Sequence, residues 1–323
     1  MPVLDKPLSE LQSYTGISPK PEDFDAYWQT AITELDAIAP NANLNPAAVQ
    51  FPNGKCFDLT FTSANNATIY AKYLTPSNTT DKPRPTVLYF HGYTGCSPDW
   101  NELIKYTAVG FNVAALDVRG QAGKSQDNTD TLGTTLRGHI IRGLADSAEN
   151  LLFKNIFLDT LQLTRTVSTF PEVDADHLMT YGGSQGGALS LVCAALTPSI
   201  KKCVALFPFL SDYKRVWEMD LSNKHAYFEL SDFLRKHDPT HQHIDTWFNR
   251  LGYIDIKNLV PRIKASVLFA ATLMDEVCPP STQFAAYNNI QSQKDIIVYP
   301  DFGHEHLPGF PDTALTFLLQ SLS

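Results

Sequence analysis

Tyr181-Gly182-Gly183-Ser184-Gln185-Gly186-Gly187 follows the apolar run Leu178-Met179-Thr180 and precedes Ala188-Leu189-Ser190-Leu191-Val192-Cys193-Ala194-Ala195-Leu196. The Gly-x-Ser-x-Gly spacing alone is a cheap match. Its setting between a strand pattern and a small-residue helix pattern decides the reading in favour of a nucleophile elbow over a plain glycine-rich turn. In such an elbow the serine backbone is strained. Gly182 and Gly186, lacking Cβ, let strand and helix pass close to it. Ser184 Oγ then stands above the sheet, and the first helical N–H groups, beginning with Gln185, point to where a negative oxygen would form.

Upstream, Cys56-Phe57-Asp58-Leu59-Thr60-Phe61-Thr62 and Thr68-Ile69-Tyr70-Ala71-Lys72-Tyr73-Leu74 alternate around Ala64-Asn65-Asn66-Ala67 and read as an antiparallel hairpin. Thr86-Val87-Leu88-Tyr89-Phe90 and Phe111-Asn112-Val113-Ala114-Ala115-Leu116-Asp117 are continuous apolar runs, as in strands buried on both faces. Helices are expected over about 24–35, 100–109 and 146–169, and strands at Cys203–Phe207, Ser266–Ala271 and Asp295–Tyr299. A last helix, Pro311–Leu322, is expected to cover the sheet edge. Alternating strands and helices demand right-handed crossovers and a mostly parallel sheet. The expectation is one α/β domain over 1–323, with helices on both faces, an N-terminal helical extension over about 1–45 and a helical cap insertion over about 208–258.

With 323 residues and 43% hydrophobic content the chain can bury one large core. Its net charge of -9 argues against a nucleic-acid surface, which needs clustered Lys and Arg. No apolar run has membrane-spanning length, and Met1-Pro2-Val3-Leu4-Asp5-Lys6 lacks the form of an export signal. Cys56, Cys96, Cys193, Cys203 and Cys278 are scattered and odd in number, which predicts buried free thiols in a reducing compartment.

A serine hydroxyl needs a base to take its proton, and the base needs a carboxylate to fix its tautomer. Asp275 and His304 each follow a predicted strand, and the order Ser184, Asp275, His304 is that of the α/β-hydrolase fold. Gly303 lets the loop present His304; His306 is the alternative base and Asp212 the alternative acid. The strand ending in His91-Gly92-Tyr93-Thr94-Gly95 places a second oxyanion donor at the Tyr93 backbone N–H, with His91 bracing that loop. The polar loop 122–138 is too long for a mere connection and is expected to line the site or an interface. The segment His237-Asp238-Pro239-Thr240-His241-Gln242-His243-Ile244-Asp245 reads as a solvated loop, and His304-Glu305-His306 lacks helical zinc spacing. No metal and no cofactor are expected.

These residues together resemble carbohydrate esterase family seven, the acetyl xylan esterases and cephalosporin C deacetylases, over almost the whole chain. The resemblance rests on Arg119-Gly120-Gln121, Gly182-Gly183-Ser184-Gln185-Gly186-Gly187 and His304-Glu305, with Tyr89-Phe90-His91-Gly92-Tyr93 and Leu273-Met274-Asp275 between them. It implies removal of acetyl groups from small acetylated sugars, including xylo-oligosaccharides, and from cephalosporin C. It implies a cytoplasmic homo-oligomer, a hexamer built as a dimer of trimers, with contacts from the N-terminal hairpin and the long loop. By position it supports Ser184, Asp275 and His304 as the triad, Tyr93 and Gln185 as oxyanion donors, and Arg119 and Gln121 as an architectural motif near the site. Ala122 departs from the pattern, since a glycine often follows Arg-Gly-Gln. A general short-chain carboxylesterase or a serine peptidase on the same fold, and a hydrolase-like scaffold that only binds, are the competing readings.

Overall fold

The computed structural model describes residues 4–78, 82–132, 138–219 and 225–320. The N-terminal stretch carries α1 (Leu8–Leu11) and α2 (Phe24–Asp36). In α2 the buried positions Phe24, Tyr27, Trp28, Ala31 and Leu35 recur at helical spacing and form one stripe. That stripe faces the core, where the Trp28 ring stacks on Phe157 at 5.9 Å.

A short strand, β1 (Asn43–Pro46), then leads into β2 (Gly54–Ser63) and β3 (Ala67–Pro76), all paired antiparallel. The hairpin turn is made by Asn65 at φ 58°, a left-handed conformation that asparagine tolerates better than most residues. The chain continues as β4 (Arg84–Phe90), α3 (Trp100–Ala108), β5 (Asn112–Leu116), α4 (Leu152–Val167), β6 (Val173–Gly183), α5 (Gln185–Leu196) and β7 (Ile200–Leu206). Four helices follow: α6 (Tyr213–Glu218), α7 (Phe228–His237), α8 (Ile244–Leu251) and α9 (Ile256–Leu259). Then come β8 (Ser266–Thr272), α10 (Pro280–Asn289), β9 (Lys294–Tyr299) and α11 (Phe310–Leu319).

The strands form one nine-stranded sheet in the order β1-β2-β3-β5-β4-β6-β7-β8-β9. β3 joins β5 antiparallel, and every pairing from β5 through β9 is parallel. This is the α/β-hydrolase fold. The alternation of side chains along the central strands separates two cores. Leu88 and Phe90 of β4 face a core shared with α2, α4 and α5, whereas Val87 faces a core with Leu103 and Tyr106 of α3 and Phe310, Ala314 and Leu318 of α11. Each fully buried Leu or Phe here contributes about 1.5–3 kcal/mol.

Three expectations are corrected. The helix expected from Asp146 begins at Leu152, because a 3-10 turn over Ala148–Asn150 and extended Leu151 come first. The last helix covers a sheet face rather than an edge, since its apolar stripe packs with Val204, Leu268 and Ala270. Cys96 is exposed, while the other four free thiols are buried. Residues 133–137 of the long polar loop lie outside the described residues.

Candidate active site

The parallel strands β4 and β6 are neighbours, so the loops leaving their carboxyl ends meet at one crevice beside the point where strand order reverses. β6 ends at Gly183 and α5 begins at Gln185, leaving Ser184 alone in the turn at φ 57° and ψ -123°. That conformation costs on the order of 1–3 kcal/mol and persists only where surroundings over-determine it. Here Ser184 N–H donates to Leu206 O at 3.0 Å, and Ser184 O accepts from Phe209 N–H at 3.1 Å and Ala188 N–H at 3.0 Å. The flanking glycines are required sterically. A Cβ on Gly182 would lie 2.4 Å from the Gly186 carbonyl carbon, and one on Gly186 would lie 2.0 Å from Phe90 O.

Asp275 sits in the turn after β8 with no solvent exposure. One carboxylate oxygen accepts from the N–H groups of Val277 and Cys278, both at 2.8 Å. The other accepts from Thr272 Oγ1 at 3.3 Å, Gln283 Nε2 at 3.4 Å and His304 Nδ1 at 2.8 Å. With Nδ1 donating to Asp275, Nε2 carries the lone pair that can take a proton. The loop bearing His304 is tied to the Asp275 loop by Met274 N–H donating to Phe302 O at 3.0 Å. A Cβ on Gly303 would press within 3.1 Å of Met274 O, so a side chain there would push the loops apart. The Phe207 ring, 4.6 Å from the imidazole, supports its other side.

Ser184, His304, Gly92, Tyr93, Thr94, His225, Ala226 and Val277 line an open cleft of about 570 Å³. Gln185 N–H opens α5 and has no acceptor within the helix. The Gln185 side chain faces away from solvent and exchanges hydrogen bonds with Gln121, at 2.7 and 3.1 Å. His91 bridges the loop after β4: Nδ1 donates to Gly92 O at 2.8 Å and Nε2 accepts from Val118 N–H at 3.0 Å. Burial lowers its pKa, which keeps it neutral and suited to bracing. Arg119 lies in the interior, bound to Asp159 at 2.6 and 2.7 Å and to Ala64 O at 3.1 Å.

The alternatives fall elsewhere. His306 is exposed. The Asp212 carboxylate accepts from Tyr14 OH and from the N–H groups of Ile17 and Ser18, so the N-terminal stretch occupies it. In the segment 237–245, Asp238 caps the turn by accepting from Gln242 and His243 N–H and from Trp247 Nε1. Donor atoms of Asp275, Cys278 and His304 lie within 4.8 Å of one another, but Asp275 and His304 are bonded together and burial raises the Cys278 thiol well above its ordinary pKa. That set suits proton transfer better than metal ligation.

Cys278 and Glu229 were missed by sequence reasoning. Cys278 has a buried thiol, and its backbone N–H donates to Asp275 at 2.8 Å. Its place three residues after Asp275, in a turn that must fold back on the acid, was the available signal. Glu229, on α7, reaches the Tyr93 hydroxyl. Nothing local to its helix announces that.

The family model for acetyl xylan esterase (AXE1) matches residues 1–322. The chain is similar to the crystal structure of acetyl xylan esterase 1 from a Thermoanaerobacterium species, with 53% identity and a TM-score of 0.97 over 99% of this chain and 100% of that one. It is similar to an acetyl xylan esterase from a Paenibacillus species, with 33% identity and a TM-score of 0.93 over 98% of this chain and 99% of that one. An acetyl esterase of Xylanibacter ruminicola is 27% identical over 303 residues, 90% of this chain; the chain spans 64% of that relative's length.

Proposed function

The chain belongs to the acetyl xylan esterase family, whose members are carboxylic ester hydrolases, and on that premise we propose that it is a serine esterase removing acetyl groups from small acetylated carbohydrates through an acyl-enzyme. Acetylated xylo-oligosaccharides are the substrate class, and the acetoxymethyl ester of cephalosporin C presents the same acyl group. Ser184 attacks the ester carbonyl while His304 Nε2 takes its proton. Asp275 stabilises the imidazolium, and the N–H groups of Tyr93 and Gln185 hold the oxyanion, each donor worth on the order of 3 kcal/mol at the transition state. His304 then returns the proton to the departing sugar oxygen, and a water deprotonated by the same ring releases acetate.

The observation that carries this reading is the Asp275–His304 hydrogen bond of 2.8 Å at a cleft that Ser184 also lines. Arg119, Gly120 and Gln121 serve as architecture: Gln121 holds the Gln185 side chain, and Arg119 anchors the segment to α4. Among the described residues no helix is long and apolar enough to cross a membrane. The five free cysteines support a reducing, cytoplasmic setting. The family likeness supports a hexamer, a dimer of trimers, which light scattering on purified protein reads directly.

The test compares wild type with Ser184→Ala on nitrophenyl acetate, nitrophenyl butyrate and an acetylated xylose, with released acetate quantified. Acetate release by wild type alone, with acetyl preferred to butyryl, is expected. Faster butyrate hydrolysis would turn the reading toward a general short-chain carboxylesterase, and an equally active alanine variant would sink the mechanism.

A further inference from the structure

Glu229 lies in the first turn of α7 and is only 3% exposed, yet it carries a carboxyl group. A buried carboxyl is costly unless its oxygens are satisfied. Here one oxygen accepts from Tyr93 OH, and the other accepts from Ile140 N–H at 2.7 Å and Ile141 N–H at 3.1 Å. Tyr93 OH in turn accepts from His139 N–H at 2.8 Å. One carboxyl group therefore ties together three segments: the loop after β4, residues 139–141 of the connection before α4, and α7. The approach is close enough to dictate residue type, since a Cβ on Gly138, at φ 78°, would lie 1.9 Å from the Glu229 carboxyl oxygen.

The ring of Tyr93 completes the tether. It packs 5.1 Å from Phe209 and 6.4 Å from Phe153, so the hydroxyl is held at α7 in a residue that also lines the cleft. Rotation of that ring and a shift of the Tyr93 peptide are thereby coupled to the hydroxyl's bonds with Glu229 and His139 N–H. We propose that Glu229 is a positioning residue for the oxyanion hole, acting through the Tyr93 hydroxyl to fix the Tyr93 backbone N–H. The proposal rests on the reading of that N–H as an oxyanion donor.

The charge state of Glu229 sets how well it can do this. As an anion it accepts from three donors at once; a protonated carboxyl must turn one oxygen into a donor, while Ile140 and Ile141 N–H can only donate and Tyr93 Oη already accepts from His139 N–H. Burial pushes its pKa up to about 7, opposed by the bonds from Tyr93, Ile141 and Ile140 and by Arg142. The other groups facing it are Tyr93, Tyr213 on α6, and His139, which burial and Arg142 push down to about 4 and so leave neutral. Arg142 is itself shared with Asp127 at 3.7 Å, and on α7 Asp232 is paired with Lys236. As pH falls through about 7, the anion is lost and the tether slackens. The acid side of the wild-type profile therefore contains a protonation step that belongs to Glu229.

The test measures kcat and KM on nitrophenyl acetate between about pH 5 and 9 for wild type, Glu229→Gln, Tyr93→Phe and the double variant, with melting temperatures alongside. Each single variant is expected to lose about tenfold or more in kcat with KM within about twofold, as for a misplaced transition-state contact. The double variant is expected to be no worse than the poorer single one. The protonation step near pH 7 that belongs to Glu229 should be missing from the acid limb of log kcat in each variant. A folded variant with kcat within about twofold of wild type overturns the proposal, and so does a loss of kcat with the wild-type pH profile kept. Should Glu229→Gln not fold, Tyr93→Phe, which removes only the hydroxyl, decides by the same criteria. Ser184→Ala runs as control: if it still turns over, the catalytic reading falls, and if it is inert while Tyr93→Phe behaves as wild type, only this inference falls.

Discussion

Replacing Asp275 by Asn changes one oxygen to an NH2 group, and the surroundings dictate which. Val277 and Cys278 N–H groups both point at the same carboxylate oxygen from 2.8 Å, and they are fixed backbone donors. An amide NH2 there would meet two donors, so the remaining oxygen must stay on that side. The NH2 is therefore turned toward His304 Nδ1, where the native oxygen accepts at 2.8 Å. His304 answers by presenting Nδ1 as acceptor, which moves the ring proton to Nε2. Nε2 then has no lone pair with which to take the Ser184 proton. The imidazolium that forms during attack also loses its anionic partner. In the general serine-histidine-aspartate scheme this wrong tautomer costs about 10⁴ in kcat, or about 5 kcal/mol of barrier at 1.36 kcal/mol per tenfold. Because Asn is nearly isosteric and keeps two backbone bonds, folding is expected to survive. Initial rates on nitrophenyl acetate at pH 7.5 or so, paired with a melting curve, measure it. A folded Asp275→Asn variant within about tenfold of wild-type kcat would refute the tautomer argument.

Further perturbations test the scaffold. Gly186→Ala puts a Cβ about where Phe90 O already stands, 2.0 Å away, and should cost about 3 kcal/mol or more, seen as a lowered chemical-denaturation midpoint; an unchanged midpoint would contradict the close-approach reading. Arg119→Leu strands Asp159 in the interior and should destabilise by about 3–5 kcal/mol, with Arg119→Leu plus Asp159→Leu recovering much of it; no recovery in the double variant would show that the pair is not the cause. His139, whose pKa burial pushes down to about 4, supports the fold when neutral. Its folded pKa lies below the unfolded value, so its contribution is complete above about 6.5 and is lost as pH falls toward 4; His139→Gln should flatten the fall of melting temperature across that window, and an unaltered slope would contradict it.

The sequence made the centre of the fold legible because its constraints are steric and local. Gly182 and Gly186 stand where no Cβ fits, and β4 and β5 are apolar on both faces because both faces are covered. The placing of Ser184, Asp275 and His304 after the ends of β6, β8 and β9 was equally readable. What escaped depends on contacts far away in the chain. β1 is Asn-Leu-Asn-Pro, with no apolar alternation, and exists because β2 pairs with it. α10 buries Ser281, Thr282 and Gln283 along with Phe284, so it shows no amphipathic stripe to read. Asp212 stands in the sequence as the alternative acid, and nothing near it in the chain shows that Tyr14, Ile17 and Ser18 occupy its oxygens from nearly two hundred residues away. Glu229 reads as an ordinary surface charge on a helix, and only the fold brings Tyr93, Ile140 and Ile141 to it.

The most direct test of the central claim is peptide mass spectrometry on enzyme quenched with acid during turnover of nitrophenyl acetate. An acetyl group on Ser184 is expected, with none at that position in Ser184→Ala. Acetate release with no covalent acetyl, or an acetyl group on a different residue that turns over at the catalytic rate, would contradict it.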